Sequence, residues 1–557
     1  MRALLVPFAA YSLLAAPLAA REHQRHQHQP QHEHAAADHH DHGAEALGTV
    51  NFATTCSAEV KDEFTRGVAL LHSFGYEEAR QAFSAVAERD PSCGIASWGV
   101  AMTYYHPLWA PPTPDELAAG RTAAEHAASV GAKSDRERGY IDAINAFYRS
   151  PDAPHAARAK AYAAAMERVA ATHPDDAEAR IFFALALLGT APPNDPTYAQ
   201  QKRAAAIMTP LVERLPQHPG ILHYTIHAFD APNLAELALN AARSYAKVAP
   251  ASPHALHMPS HIFTRLGLWK ECIDSNRDSA EAARAKAAEH PRASVFNELH
   301  ALDYLVYAHL QLGEDDAARQ ALERVQSVAL VDPDIAAAYA ATAAPARYAL
   351  ERRDWRAAAA LRVPPVLQSL DRLAYTRGVT YLANAIGSAR TGDAAGARAA
   401  VDELGRLHAM LAAAPPGGPY DWVGQVESMH LAAQGVTAFA EGRKDEAVTL
   451  LTKAAEKEAL VGKHPVTPGA VLPARELLGD LLLELQRPAE ALAAYERSLQ
   501  DAPRRLNALA GAVQAAEGAG DRERARRYAA ELIALCADCK RPGAQRAKAI
   551  AGSLMAP

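Results

Sequence analysis

The sequence predicts an all-α protein built from paired helices that repeat along the chain. Its alanine-rich composition and its low aromatic content of 6% favour helix almost throughout. Two H-x-x-x-H pairs, His223/His227 and His257/His261, superimpose when the chain is shifted by 34 residues. A fixed period of this length indicates stacked helical hairpins. Because 557 residues exceed what one core can hold, we expect an elongated solenoid or several domains.

The N-terminus predicts export. In residues 1–20, Arg2 precedes an apolar run that ends in small residues at Ala20, as in a cleaved secretory signal peptide. Residues 21–49 hold eight histidines and no apolar period, which predicts a disordered segment that binds transition metals or serves as a hydrophilic spacer. No later stretch resembles a transmembrane helix. We therefore expect a periplasmic or extracellular protein without a membrane span after signal removal.

Two stretches carry the repeat most regularly, with a small residue at positions 8 and 20, an aromatic residue at 24 and proline at 32. They are Gly67, Ala79, Phe83 and Pro91 in one unit, and Gly479, Ala491, Tyr495 and Pro503 in the other. The small residues let paired helices approach, and the aromatic ring fills the gap to the next unit. Over roughly 300 of its 557 residues, the chain resembles the tetratricopeptide repeat (TPR) family, and in particular exported bacterial TPR proteins.

The resemblance implies a TPR-like helical-hairpin solenoid. We divide the chain into the signal peptide (1–20), the His-rich segment (21–49), an N-terminal array (50–330) and a C-terminal array (331–557).

In TPR proteins, the first helix of each repeat lines a concave groove, and the resemblance carries this over to particular residues here. Ala238, Cys272 and Ala318 are taken as position 20 of their units. The residues then expected to face the groove are His223, His227, His254, His257, His261, His300, Asp303 and Tyr307, together with His72 and His106.

This arrangement suggests a metal site. Residues four apart share one helix face, and packed helices lie about 8–10 Å apart, so imidazoles from two repeats can converge on one Zn or Cu ion. Asp303 is then a candidate fifth ligand, or an acceptor that orients an imidazole. Two alternatives stay open: duplication of one unit without any metal, and groove histidines that bind a peptide.

Catalytic motifs are lacking in the sequence. Glu298 and Glu427 qualify as bases only if a metal-bound water exists, so we assign no catalytic residue. The net charge of -7 provides no basic stripe for nucleic acid. The leading functional prediction is an exported, non-catalytic TPR scaffold that binds a protein or peptide in its groove. The alternative is transition-metal binding or trafficking, followed by a metal-dependent hydrolase.

The cysteines suggest two bridges. Cys56 and Cys93 lie near the starts of consecutive units and are candidates for a disulfide. Cys536 and Cys539 form C-x-x-C, which favours a small local bridge over half of a metal site.

Overall fold

The computed structural model describes residues 46–108, 111–192, 195–414, 420–536 and 538–555. Within these ranges the chain consists of α-helices, short 3-10 turns and loops, and contains no β-strand. This confirms the predicted all-α helical-repeat fold. The predicted signal peptide and most of the His-rich segment lie outside the described residues. None of the described helices combines the length and apolar character that crossing a membrane requires.

The helices of the N-terminal half pack mainly against the helices next to them in the chain. They are α1 (Lys61–His72), α2 (Tyr76–Arg89), α3 (Gly94–Met102), α4 (Pro114–Val130), α5 (Asp135–Tyr148), α6 (His155–Thr172), α7 (Ala177–Gly189), α8 (Ala199–Val212), α9 (Pro219–Phe229), α10 (Leu239–Val248), α11 (Pro253–His257), α12 (Pro259–Leu266), α13 (Trp269–Ala285), α14 (Pro291–Leu312) and α15 (Asp315–Ser327).

The same arrangement continues to the end of the described chain. The helices there are α16 (Ile335–Glu351), α17 (Trp355–Ala360), α18 (Pro365–Gln368), α19 (Arg377–Thr391), α20 (Ala394–Ala413), α21 (Trp422–Ala440), α22 (Lys444–Val461), α23 (Ala474–Glu484), α24 (Pro488–Asp501), α25 (Leu506–Gly518), α26 (Arg522–Leu535) and α27 (Pro542–Met555). The 3-10 turns are Ala58–Val60, Ala235–Ala238 and Asp371–Thr376.

Aromatic rings fill the gaps between repeats at the predicted positions. Phe83 lies so close to two helices that a Cβ atom added at Gly67 or Gly99 would meet its ring at 2.8 or 2.4 Å. Tyr495 has the same relationship to Gly479 and Gly511. Only glycine allows the helices to approach a ring this closely, so the repeat pattern and the packing have one physical cause.

The repeats after residue 330 also pack against the middle of the chain. The Trp269 indole donates to the Arg504 carbonyl at 2.9 Å, and the Leu506 amide donates to the side-chain oxygen of Gln311 at 3.1 Å. These contacts cross the boundary that the sequence analysis places between the two arrays, and the chain from Ala46 onward is one compact unit.

The start of the described chain differs from the sequence prediction of a disordered segment. Leu47, assigned to the His-rich segment, is buried, and the Thr49 amide donates to the Gln217 carbonyl at 2.8 Å.

Both cysteine pairs, Cys56–Cys93 and Cys536–Cys539, are disulfide-bonded. Cys272 is a buried free thiol.

Candidate metal centre

Three neighbouring segments present the groove histidines to one another. α9 carries His223 and His227, the α11–α12 pair carries His254, His257 and His261, and α14 carries His300. Local sequence fixes where the first two segments begin. His218 accepts the Ile221 amide ahead of Pro219, and Ser252 accepts the Ala255 amide ahead of Pro253. A capping side chain followed by proline sets the first turn of a helix, and therefore the face on which each histidine lies.

The structure sorts the six histidines into two groups of three. The first triad is His223, His227 and His254. In it, the His223 Nε2 atom lies 3.1 Å from the Nε2 atoms of both other rings. His223 and His254 are buried, whereas His227 is half-buried. The ligand atoms of the three rings all lie within 4.8 Å of one another.

The second triad is His257, His261 and His300, and all three side chains are buried. The Nε2 atoms of His257 and His261 are 3.0 Å apart, and the ring centroid of His300 lies 4.1 Å from that of His257. Here too the ligand atoms lie within 4.8 Å of one another. The two triads are adjacent, since the His227 and His261 ring centroids are 6.0 Å apart.

Outer hydrogen bonds orient the second triad. The Nδ1–H of His257 donates to Asn276 Oδ1 at 2.6 Å, and the Nδ1–H of His261 donates to Asp230 Oδ2 at 3.0 Å. A neutral imidazole that donates from Nδ1 carries a lone pair on Nε2. Two lone pairs therefore face each other across 3.0 Å, an arrangement that a cation bound to both nitrogens would stabilise.

In the first triad, too, an outer hydrogen bond determines which ring nitrogen carries the lone pair. The Nδ1–H of His223 donates to the His72 carbonyl oxygen at 2.6 Å, so the lone pair of its ring lies on Nε2. That one lone pair faces two further ring nitrogens at 3.1 Å, although it accepts at most one N–H. Ligands about 2.0–2.1 Å from a tetrahedral ion lie roughly 3.3 Å apart, close to the separations in both triads.

Burial keeps these rings neutral. It lowers the pKa of His223 to about 3, and it holds the pKa values of His227, His254, His257 and His300 well below the usual histidine range. A proton is thus a poor occupant of either triad near neutral pH. A metal ion, which binds the deprotonated nitrogen, suits the arrangement better.

Asp230 links the second triad to a distant part of the chain. Its carboxylate accepts from His261, from Arg265 Nε at 2.8 Å and from Lys463 Nζ at 2.9 Å. Burial alone would raise the pKa of Asp230, but the two cations outweigh it and hold that pKa well below its usual range. Asp230 is therefore an anion that accepts the proton of a ligand ring, as carboxylates do around many protein metal ions.

Lys463 belongs to the inner loop (residues 462–473), which connects α22 to α23 and lies beside the second triad. The Tyr304 hydroxyl donates to the carbonyls of Pro465 and Thr467 at 3.1 and 3.2 Å, and Arg347 Nη2 donates to the Gly469 carbonyl at 2.7 Å. Part of the groove that the sequence analysis leaves open to a ligand is thus filled by the protein's own chain.

Asp303 and Tyr307 face the same side of α14 but belong to neither triad. The Asp303 carboxylate accepts from Arg347 Nε at 2.9 Å, and both side chains are buried. The Tyr307 hydroxyl accepts from Arg505 Nη1 at 2.9 Å. Asp303, for which the sequence suggested a role as a metal ligand or as an acceptor that orients an imidazole, is therefore bound in an ion pair with Arg347.

His72 and His106, the two other histidines expected to face the groove, have separate surroundings. His72 is buried, with Nε2 at 2.9 Å from Glu178 Oε2 and Nδ1 at 2.9 Å from the Tyr224 hydroxyl. α3 ends at Met102, so His106 lies beyond the helix with a φ of 48° and packs against the Tyr76 ring at 4.7 Å.

Glu298 and Glu427, the weak candidates for a base, each pair with a cation. Glu298 accepts from Arg324 at 2.6 Å, and Glu427 lies 2.7 Å from Lys457.

Sequence reasoning missed four residues around the triads: Asp230, Asn276, Lys463 and His464. A signal for Asn276 was present. It stands four residues after Cys272, at repeat position 24, where regular units carry an aromatic ring. Lys463 is 233 residues from its partner Asp230, and no repeat pattern relates them.

A cavity of about 520 Å³ adjoins the site. Among the triad residues only His227 lines it. Its other walls include Asp230, Arg265, Tyr339, Tyr420 and much of the inner loop with Lys463 and His464.

Comparison with known proteins finds only distant structural similarities. No family model matches it, and no curated protein matches its sequence. Among solved structures, it is similar to a human IFIT1 dimer with m7Gppp-AAAA at 14% identity and a TM-score of 0.36, over 80% of this chain and 90% of that one.

Two further structures are similar to the chain. The APC/C hetero-tetramer Cut9–Hcn1 matches at 12% identity and a TM-score of 0.30, over 90% of this chain and 97% of that one. A tetratricopeptide repeat protein from Parabacteroides merdae matches at 11% identity and a TM-score of 0.26, over 63% and 99%. All three TM-scores are below 0.5, so we base the fold class on the described helices and not on these similarities. The order and packing of those helices define a TPR-like helical-repeat protein.

Proposed function

We propose that this helical-repeat protein binds transition metal, with one ion in each histidine triad. The observation that carries the proposal is the pair of Nε2 atoms of His257 and His261, 3.0 Å apart, each on a ring that donates its only proton elsewhere. Buried, neutral imidazoles without a carboxylate or thiolate suit Zn or Cu. Three protein ligands leave a fourth position at each ion.

Peptide binding in the concave groove stays a prediction. The inner loop argues against peptide binding at the triads, because its backbone carbonyls already accept hydrogen bonds from Tyr304 and Arg347. A peptide would have to displace these contacts in order to reach the histidines. We therefore rank metal binding first, and we place peptide binding, if it occurs, away from the triads.

We also propose that the protein is exported. The apolar N-terminus supports this, and so do the two disulfides, since such bonds persist in oxidising compartments. The His-rich segment would then collect metal ions for the triads.

The test is metal analysis of the full chain with the eight histidines between His23 and His42 replaced by serine, so that this segment does not contribute. We expect two Zn or Cu ions per folded chain. His223→Ala and His257→Ala should each remove one ion, and the double variant both. His126→Ala, at an exposed histidine outside the triads, is the matched control and should retain two. A folded protein without stoichiometric metal would refute the proposal.

A further inference from the structure

The two triads differ in their access to the cavity. His227 of the first triad is half-buried and lines the cavity, whereas no residue of the second triad lines it. A volume of about 520 Å³ falls within the range of pockets that bind small organic molecules. An ion in the first triad would therefore lie beside a space that a ligand can enter.

The second triad is enclosed by protein. The Tyr304 ring lies 4.7 Å from His257 and 5.4 Å from His261, and its hydroxyl is bonded to the inner loop. Lys463 of that loop donates a hydrogen bond to Asp230, and Asp230 also accepts the Nδ1–H of His261. A ligand could reach an ion here only if the inner loop moved.

Charge indicates which kind of ligand the first triad would take. Three neutral imidazoles leave the charge of a divalent ion uncompensated, and no carboxylate belongs to the triad. The cavity lining holds four carboxylates and four cations: Asp195, Asp230, Glu458, Asp501, Arg265, Lys463, Arg475 and Arg497. Because these wall charges balance, the uncompensated positive charge of the ion itself favours an anion over a neutral or cationic molecule.

We propose that the ion in the first triad binds a small anion from the cavity, such as an organic carboxylate, while the ion in the second triad is closed to external ligands. This inference rests on the proposed metal function. It assigns a ligand-binding role to the first centre and a structural role to the second.

The experiment uses the full chain with the serine-substituted His-rich segment, loaded with Co²⁺ and titrated with azide as the probe anion. Metal content is measured on the same samples. With two ions bound, we expect azide to change half of the cobalt absorption. His257→Ala, which retains only the first ion, should respond to azide. His223→Ala, which retains only the second, should not.

The outcomes separate the two proposals. Absence of bound cobalt in folded protein refutes the metal function itself. Two bound ions with no azide response, with a response of both ions, or with a response confined to the second triad refute the assignment of roles while the metal function stands. If the single-site variants do not fold, the parent protein still tests the number of accessible ions, because one accessible ion predicts a change in half of the cobalt signal and a change in all or none of it refutes the assignment.

Discussion

Asn276 accepts the Nδ1–H of His257 at 2.6 Å, and this contact decides which nitrogen of the ring faces the second triad. The Asn276 amide group donates in turn to the Cys272 carbonyl at 2.7 Å, so its side-chain oxygen is the atom left for His257. A neutral acceptor on a neighbouring helix would thus orient His257 for the proposed ion before that ion binds.

Replacing Asn276 with alanine should weaken metal binding at the second triad. Without the acceptor, the His257 ring can rotate or change tautomer, and loss of such an outer contact typically costs about 10–100-fold in affinity. Competition with a chelator of known affinity would measure the change. Asn384→Ala is the control, because Asn384 donates to three carbonyls around α17 and should cost stability without altering metal affinity. Equal affinities in the two variants would contradict the role given to Asn276.

Gly220 lies at a position where a larger residue should disturb the first triad. A Cβ atom at this position would lie 2.5 Å from His72 Nδ1, and the carbonyl of the same His72 accepts the hydrogen bond that orients His223. We expect Gly220→Ala to cost about 1–3 kcal/mol of stability through overpacking and to weaken the first triad. Urea unfolding and metal titration measure the two effects.

Gly378→Ala provides the matched control. Both glycines are the second residue of their helix, but an added Cβ at Gly378 would find its nearest neighbours at 3.4 Å, an ordinary contact. This variant should be neutral or slightly stabilised, because alanine favours helix. A similar loss in both variants would show that the His72 contact is not the cause.

Glu458 predicts a pH dependence of stability. Burial raises its pKa to about 7, although the hydrogen bond from the Ala474 amide opposes the shift. Because the folded-state pKa exceeds the unfolded value of about 4.5, this group stabilises the protein fully below that value and loses its contribution as pH rises through 7. Glu458→Gln should therefore raise the free energy of unfolding by about 3 kcal/mol at pH 8 and have little effect at pH 4.5.

Glu456→Gln, at an exposed position on the same helix, is the comparison for this experiment. It should leave the pH profile of unfolding unchanged. If Glu458→Gln has the same effect at both pH values, the carboxyl group does not titrate in the predicted range.

The 34-residue period was sufficient to predict the helical repeats, and the resemblance to TPR proteins then implied that six histidines share one side of the array. His223, His227, His254, His257, His261 and His300 do come together. Their division into two triads was not predictable. It depends on how far α9, α11 and α14 are displaced along one another, which repeat counting does not specify.

The unpredicted parts of the site depend on contacts between distant segments. Asp303 has the expected position on α14, but Arg347, 44 residues later, binds its carboxylate. His106 fits the repeat numbering only if α3 continues, and α3 ends at Met102. The inner loop lies outside any repeat unit, so its position beside the second triad could not be inferred from the period. A repeat pattern specifies how neighbouring units pack, but it does not specify which distant units a long loop contacts.

The two disulfides offer an internal test of how the described chain is stabilised. The Cys56–Cys93 bond joins residues 37 apart, and the Cys536–Cys539 bond joins residues 3 apart. In the chain-entropy description, a bond restricts the unfolded chain more when it closes a longer loop. Replacing the first pair with serine should therefore lower the free energy of unfolding by about 2 kcal/mol more than replacing the second pair. Urea denaturation of the two double variants, each compared with the parent protein, measures the difference. Equal losses would mean that local packing around the sulfur atoms, rather than restriction of the unfolded chain, determines what these bonds contribute.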